Sequence, residues 1–83
     1  MRLLLYAKAK EIFNSNYIII DIIYDKKLLD IMNDLCNECD INENNKNYIL
    51  NICKYALDNK FIETNMMINN DMTIKIIPPI SSG

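Results

Sequence analysis

The sequence predicts an α+β fold, a mixed sheet of four to five strands packed on one main helix, and three observations carry that prediction. Residues near both ends alternate in the two-residue period of a strand, in Arg2 to Lys8 and again in Met72 to Ile77. Between them Leu28, Met32, Leu35 and Cys39, supported by Leu29, Ile31 and Cys36, recur at helical spacing. The order strand, strand, helix, then two or three more strands leaves one sheet face for the helix to cover.

In the first strand Leu3, Leu5 and Ala7 share one face, expected to be core, and Leu4, Tyr6 and Lys8 share the other. Glu11 to Asn16 reads as a turn, because Asn14, Ser15 and Asn16 compete with the ladder for local hydrogen bonds. Tyr17 to Tyr24 is rich in β-branched and aromatic residues and reads as a second strand, with Ile18, Ile20, Ile22 and Tyr24 facing opposite to Tyr17, Ile19, Asp21 and Ile23. Asp25 is then placed to cap the helix with its carboxylate. Asp40 to Asn47 is almost wholly polar and predicts a long loop, and Tyr48 to Ile52 fits a short helix or a strand equally well.

Cys53 to Leu57 alternates, Asp58-Asn59-Lys60 forms a turn, and Phe61 to Thr64 makes a short strand. After a turn at Asn69-Asn70-Asp71, the last strand stops at Pro78-Pro79, since proline has no N–H for the ladder.

At 83 residues the chain fits one domain, which buries a little over ~60% of its unfolded surface. Its 51% hydrophobic and 24% charged residues argue for a core rather than for disorder. A net charge of −2 without a Lys/Arg-rich block gives no footprint for nucleic acid. Apolar runs such as Tyr17 to Ile20 are too short to span a bilayer, and the N-terminus has no signal-peptide pattern, so a cytoplasmic protein is expected. Isoleucine and asparagine are over-used while valine is absent, a bias spread over core and loops alike.

Two segments carry a family resemblance. Leu4-Leu5-Tyr6-Ala7-Lys8-Ala9-Lys10-Glu11-Ile12 is similar to an apolar strand ending in aromatic-Ala-x-x-Arg-Glu-Leu. Ala56-Leu57-Asp58-Asn59, followed by Asp71 to Ile77 and Pro78-Pro79-Ile80-Ser81-Ser82-Gly83, is similar to an Ala-Val-Asn strand, a last strand and a Pro-Pro-x-x-Gly-Gly tail. Together they resemble the small subunit of molybdopterin synthase, a ubiquitin-like β-grasp sulfur carrier. The likeness runs the whole length, although Asn33 to Asn51 matches only in pattern. Lys10 stands for the family's arginine, Ile77 for its aromatic residue before the prolines, and Ser82 for its penultimate glycine.

The resemblance implies a single β-grasp domain over residues 1–83, with a flexible tail from 78 to 83 whose last residue is the reactive one. An activating enzyme of the ubiquitin type would use ATP to adenylate the Gly83 carboxylate and then replace the AMP with sulfur. The resulting thiocarboxylate would enter a molybdopterin synthase large subunit in a two-plus-two heterotetramer. There it would attack cyclic pyranopterin monophosphate to build the dithiolene of molybdopterin.

The chain itself would bind no cofactor and supply no catalytic side chain. Gly83 has no β-carbon to clash in narrow passages, and Pro78 and Pro79 hold the preceding segment extended. The resemblance also places Tyr6, Phe61 and Ile77 on the patch that docks both partners, with Pro78, Pro79, Ile80, Ser81 and Ser82 following into their channels. Related carriers for thiamine synthesis or tRNA thiolation lack the proline pair. A ubiquitin-like interaction module without sulfur chemistry is a reading from a different class.

Cys36-Asn37-Glu38-Cys39 is a C-x-x-C, but it lies on the apolar stripe of the predicted helix. With Cys53 the only other thiol and no histidine, these cysteines read as core packing rather than as a zinc site or a redox pair. One glycine also leaves no phosphate-cradling loop.

Overall fold

The computed structural model describes residues 1–79. β1 (Arg2–Leu5) turns Leu3 and Leu5 inward, as the alternation requires, and then the chain enters α1 (Ala7–Phe13). β2 (Tyr17–Ile19) runs back antiparallel to β1, with Leu3 opposite Ile18. β3 (Lys26–Lys27) leads directly into α2 (Leu28–Glu38), and α3 (Glu43–Asn47) continues into a π-helical turn over Tyr48–Ile52. β4 (Lys54–Leu57), β5 (Lys60–Ile62), β6 (Met67–Ile68) and β7 (Thr73–Ile77) complete the order.

The main sheet has the order β2-β1-β7-β4-β5, and β3 with β6 forms a small second one. β7 is the middle strand, parallel to β1 and antiparallel to β4. Leu3, Leu5, Ile74, Ile76 and Tyr55 point from the sheet to the same buried core as Leu28, Ile31, Met32 and Leu35 of α2. Each of these large side chains is about 1.5–3 kcal/mol better buried than exposed.

Several expectations are corrected. The first strand ends at Leu5 rather than Lys8, and Ala7 is exposed at φ 52, because the chain leaves the sheet for α1 and buries Ala9 instead. The predicted turn from Glu11 accordingly begins inside that helix and closes at Asn14, whose left-handed backbone (φ 53) ends it. The second strand stops at Ile19 rather than Tyr24. Ile20 still exchanges two bonds with Met1, but the Ile22 N–H leaves the direction of the ladder for Asn70 Oδ1 at 2.9 Å.

Asp25 does not cap α2. The capping position is Lys27, and the free N–H groups of Leu28 and Leu29 donate to the carbonyls of Met66 and Thr64 at 3.0 and 2.8 Å. Within α2 Leu29 is 41% exposed, and Cys39, at the C-terminal cap, is exposed too; the apolar stripe is therefore narrower than the spacing predicts.

The polar stretch after Cys39 is only half loop. Asn42 Oδ1 accepts from the Asn45 N–H at 2.8 Å and starts α3. Tyr48 to Ile52 resolves as a wide turn, its Tyr48 carbonyl accepting from Cys53 N–H at 3.0 Å. The hairpin turn falls at Asp58 and Asn59, both with positive φ (51 and 66), the geometry of a two-residue loop between twisted strands. The fifth strand starts at Lys60 and stops at Ile62, and the two-residue strands β3 and β6 had no counterpart in the expected order. Among the described residues no helix is long and apolar enough to cross a membrane.

Candidate functional site: the open sheet face and the end of the central strand

One face of the main sheet is covered by α2, and the register fixes what stands on the other. Tyr17 is opposite Leu4, Leu4 is beside Lys75, Lys75 faces Ala56 and Ala56 faces Phe61. These five residues form one row across all five strands. Ile19, Arg2 and Thr73 form the next row on one side, and Ile77 with Lys54 the next on the other. Tyr6, in phase with Leu4, lies just past the end of β1.

Tyr6, Tyr17, Ile19 and Phe61 are 42%, 54%, 60% and 70% exposed, so the face carries large apolar side chains open to solvent. Tyr6, Tyr17 and Ile19 gather on the β1–β2 side and Phe61 stands on the opposite edge strand, with Lys75 and the small Ala56 between them, so one sheet face carries two exposed apolar patches, the kind of feature that makes it a candidate interaction surface. The charged residues in these rows are Arg2, Lys54 and Lys75, with no acid among them, although the whole chain is net negative. The Arg2 guanidinium sits 5.9 Å from the Tyr17 ring centroid, holding both side chains over the face.

The sequence places Tyr6, Phe61 and Ile77 on this face, and the structure puts them there at different distances from one another. Ile77 is half-buried and stands beside the β1 end that carries Tyr6, because β1 and β7 run parallel. Phe61 is two strands away and one row back, roughly 12 Å by strand spacing and rise. Arg2, Tyr17, Ile19, Lys54 and Lys75 were not singled out from the sequence. Tyr17 and Ile19 were legible as the phase opposite to Ile18 and Ile20, whereas Lys54 and Lys75 need the register.

β7 ends at Ile77 and passes to Pro78, half-buried, and Pro79, exposed, in no regular structure. Neither proline offers a backbone donor, so neither can donate to the ladder with β4, whose last pair among the described residues is Lys54 with Ile77. Ile80, Ser81, Ser82 and Gly83 lie outside the described residues.

The cysteines do not form a centre of their own. Cys36 and Cys53 are buried and Cys39 is exposed, all three free, and the core-packing expectation fails for Cys39 because it caps α2 at the surface. Burial pushes the Cys36 thiol above its ordinary value, with Lys46 opposing and Cys39 adding to the rise. Burial likewise raises Cys53, against a lowering hydrogen bond from Tyr48. Thiols raised in this way are poor nucleophiles. Among the described residues no group of three His, Cys, Asp or Glu side chains is placed to hold a metal ion.

Comparison with solved structures decides the architecture. A crystal structure of SAMP1 from Haloferax volcanii superposes with a TM-score of 0.75 at 15% identity, over 99% of this chain and 97% of that one. A second crystal structure, of H. volcanii small archaeal modifier protein 1, gives 0.76 at 13% identity over 95% of each chain. The fold is the ubiquitin-like β-grasp. A Pyrococcus furiosus protein described as molybdopterin converting factor, subunit 1, shares it with a TM-score of 0.76 at 9% identity, over 95% of each chain. No family model and no curated protein matches the chain. At these identities the likeness is one of fold, and it extends over nearly the whole length of each β-grasp relative.

Proposed function

We propose that this protein is a sulfur carrier of the molybdopterin synthase small-subunit type, working through the carboxyl group of Gly83. The observation that carries the reading is the exit of the central strand: β7 leads into Pro78-Pro79 beside Tyr6 on an exposed apolar and cationic face. A shuttling carrier needs both parts, a docking surface and a segment that leaves the sheet next to it. The likeness to the P. furiosus molybdopterin converting factor subunit supports the same reading.

The chemistry asked of the chain is small. An oxygen of the Gly83 carboxylate attacks the α-phosphate of ATP on an activating enzyme and pyrophosphate leaves. A sulfide equivalent then displaces AMP at the acyl carbon to give a thiocarboxylate. In the large subunit that sulfur would displace an oxygen substituent from a side-chain carbon of cyclic pyranopterin monophosphate, giving a thioester to Gly83, and water would then cleave the acyl C–S bond, leaving the sulfur on the pterin and Gly83 as a carboxylate. Two carriers supply the two sulfurs of a dithiolene, which fits a two-plus-two assembly. The chain's own contribution is docking and reach, in the cytoplasm where ATP and both enzymes are met.

The alternative is a modifier whose tail does no sulfur chemistry, favoured by the likeness to small archaeal modifier protein 1. Mass spectrometry after co-expression with a ubiquitin-activating-type enzyme and a sulfur source separates the two. A carrier gains the mass of one oxygen-to-sulfur exchange, located at Gly83, and an unchanged Gly83 refutes the reading. Phe61→Asp, at a solvent-exposed position, is then expected to weaken binding to a large subunit at least tenfold while leaving the fold intact. A Ser82→Gly comparison of adenylation rates measures what the serine costs.

A further inference from the structure

A groove of about 640 Å³ runs between the β2 side of the sheet and α2, and it plays no part in the tail chemistry. Ile18, Ile20 and Ile22 line it from the strand side, and Ile31 and Leu35 from the helix. Ile23 and Tyr24, also lining it, are 83% and 77% exposed.

Two further features say what fits there. The first is charge: Asp21, Asp34 and Glu38 line the groove, and the one cation among its described lining residues, Lys26, is paired with Asp34 at 3.6 Å. The second is a free sheet edge. Among the described residues β2 pairs with β1 alone, and the ladder bonds Ile20 to Met1 in both directions, at 2.8 and 2.7 Å. In an antiparallel ladder bonded and non-bonded residues alternate, so the N–H and C=O groups of Ile19, which lies between the bonded residues Ile18 and Ile20, point outward from that edge.

We infer that this groove takes an extended segment of a partner protein, apolar at alternate positions with Lys or Arg between them, added as a strand to the edge of β2. Main-chain bonds to Ile19 supply affinity, the isoleucine wall seats the apolar side chains, and the acidic rim, Asp21 included, selects for basic ones. A second copy of this chain is disfavoured, since pairing β2 with β2 brings two acidic rims together.

The test titrates the full-length chain, labelled with ¹⁵N, with a short peptide of alternating Val and Lys, its Glu counterpart, and a Lys version interrupted by proline. Shifts are expected at the amide of Ile19 and along α2. Binding should favour Lys over Glu by about tenfold or more, weaken with salt, and vanish with proline. The double variant Asp34→Lys, Glu38→Lys, changing two exposed side chains, should reverse the Lys-over-Glu order. Equal affinity for both peptides, an order unchanged in the double variant, or shifts confined to the face around Phe61 would overturn the inference. So would a concentration-dependent dimer through β2 that the Lys peptide does not dissolve.

Discussion

Replacing Tyr55 with Phe removes one oxygen from the core and leaves the ring in place. That oxygen donates a 2.6 Å hydrogen bond to the Ile49 carbonyl, tying β4 to the π-helical turn. Tyr55 is 2% exposed and Ile49 fully buried, so water cannot replace the bond. The loss combines the bond's net worth with an orphaned carbonyl, about 1–2 kcal/mol at pH 7, or several degrees of Tm for a domain of this size.

The same hydroxyl makes the difference depend on pH. Burial first, then nearby Cys53 and Cys36, raise its pKa from the ordinary 10.0. A raised acid favours the neutral form in the folded state, so the contribution is complete below pH 10 and is lost above it as the unfolded chain ionises. By pH 11 about 1.4 kcal/mol of it is gone, which brings wild type and Tyr55→Phe close to equal stability. Cys36 and Cys53, raised from 9.0, also cost stability from about pH 9 upward, but equally in both proteins. Urea unfolding from pH 7 to 11 measures the gap. A gap that stayed constant to pH 11, or was absent at pH 7, would refute the buried, bonded phenol.

Other outcomes follow from individual residues. Asn70 Oδ1 accepts from the Met1 ammonium at 3.1 Å and from Ile22 N–H at 2.9 Å, so Asn70→Ala should cost about 1–2 kcal/mol and speed hydrogen exchange at Ile22. Ala7 holds φ 52 without being glycine, and Ala7→Gly should stabilise the fold by about 0.5–1 kcal/mol in thermal melts. With a thiol reagent Cys39 should react rapidly and stoichiometrically, while Cys36 and Cys53 react only on unfolding.

The sequence made legible what periodicity encodes. Leu3 and Leu5, Leu28, Ile31, Met32 and Leu35 of α2, and Ile74 and Ile76 all fall in the core as their spacing predicts. What it concealed has physical causes. Ala9, Ile12 and Phe13 carry the spacing of α1, but that short pattern overlaps the strand alternation ending at Ala7. The two-residue strands β3 and β6 are too short to show any period, and the cap of α2 comes from carbonyls of Thr64 and Met66, distant in sequence. On the open face Tyr6, Phe61 and Ile77 were legible by phase and resemblance, whereas its cationic character emerges only when the register sets Lys75 beside Leu4.

The parallel pairing of β1 with β7 also bears on when the chain can fold. Leu3 is partnered by Ile74, so the first strand to be synthesised waits for the last, and the sheet cannot close on a nascent chain that lacks its final segment. A chain arrested before Thr73 would lose Ile74 and Ile76 from its core together with the strand that joins β1 to β4. Closing the sheet and completing the core are thus a single event, and neither is reached until β7 has been made.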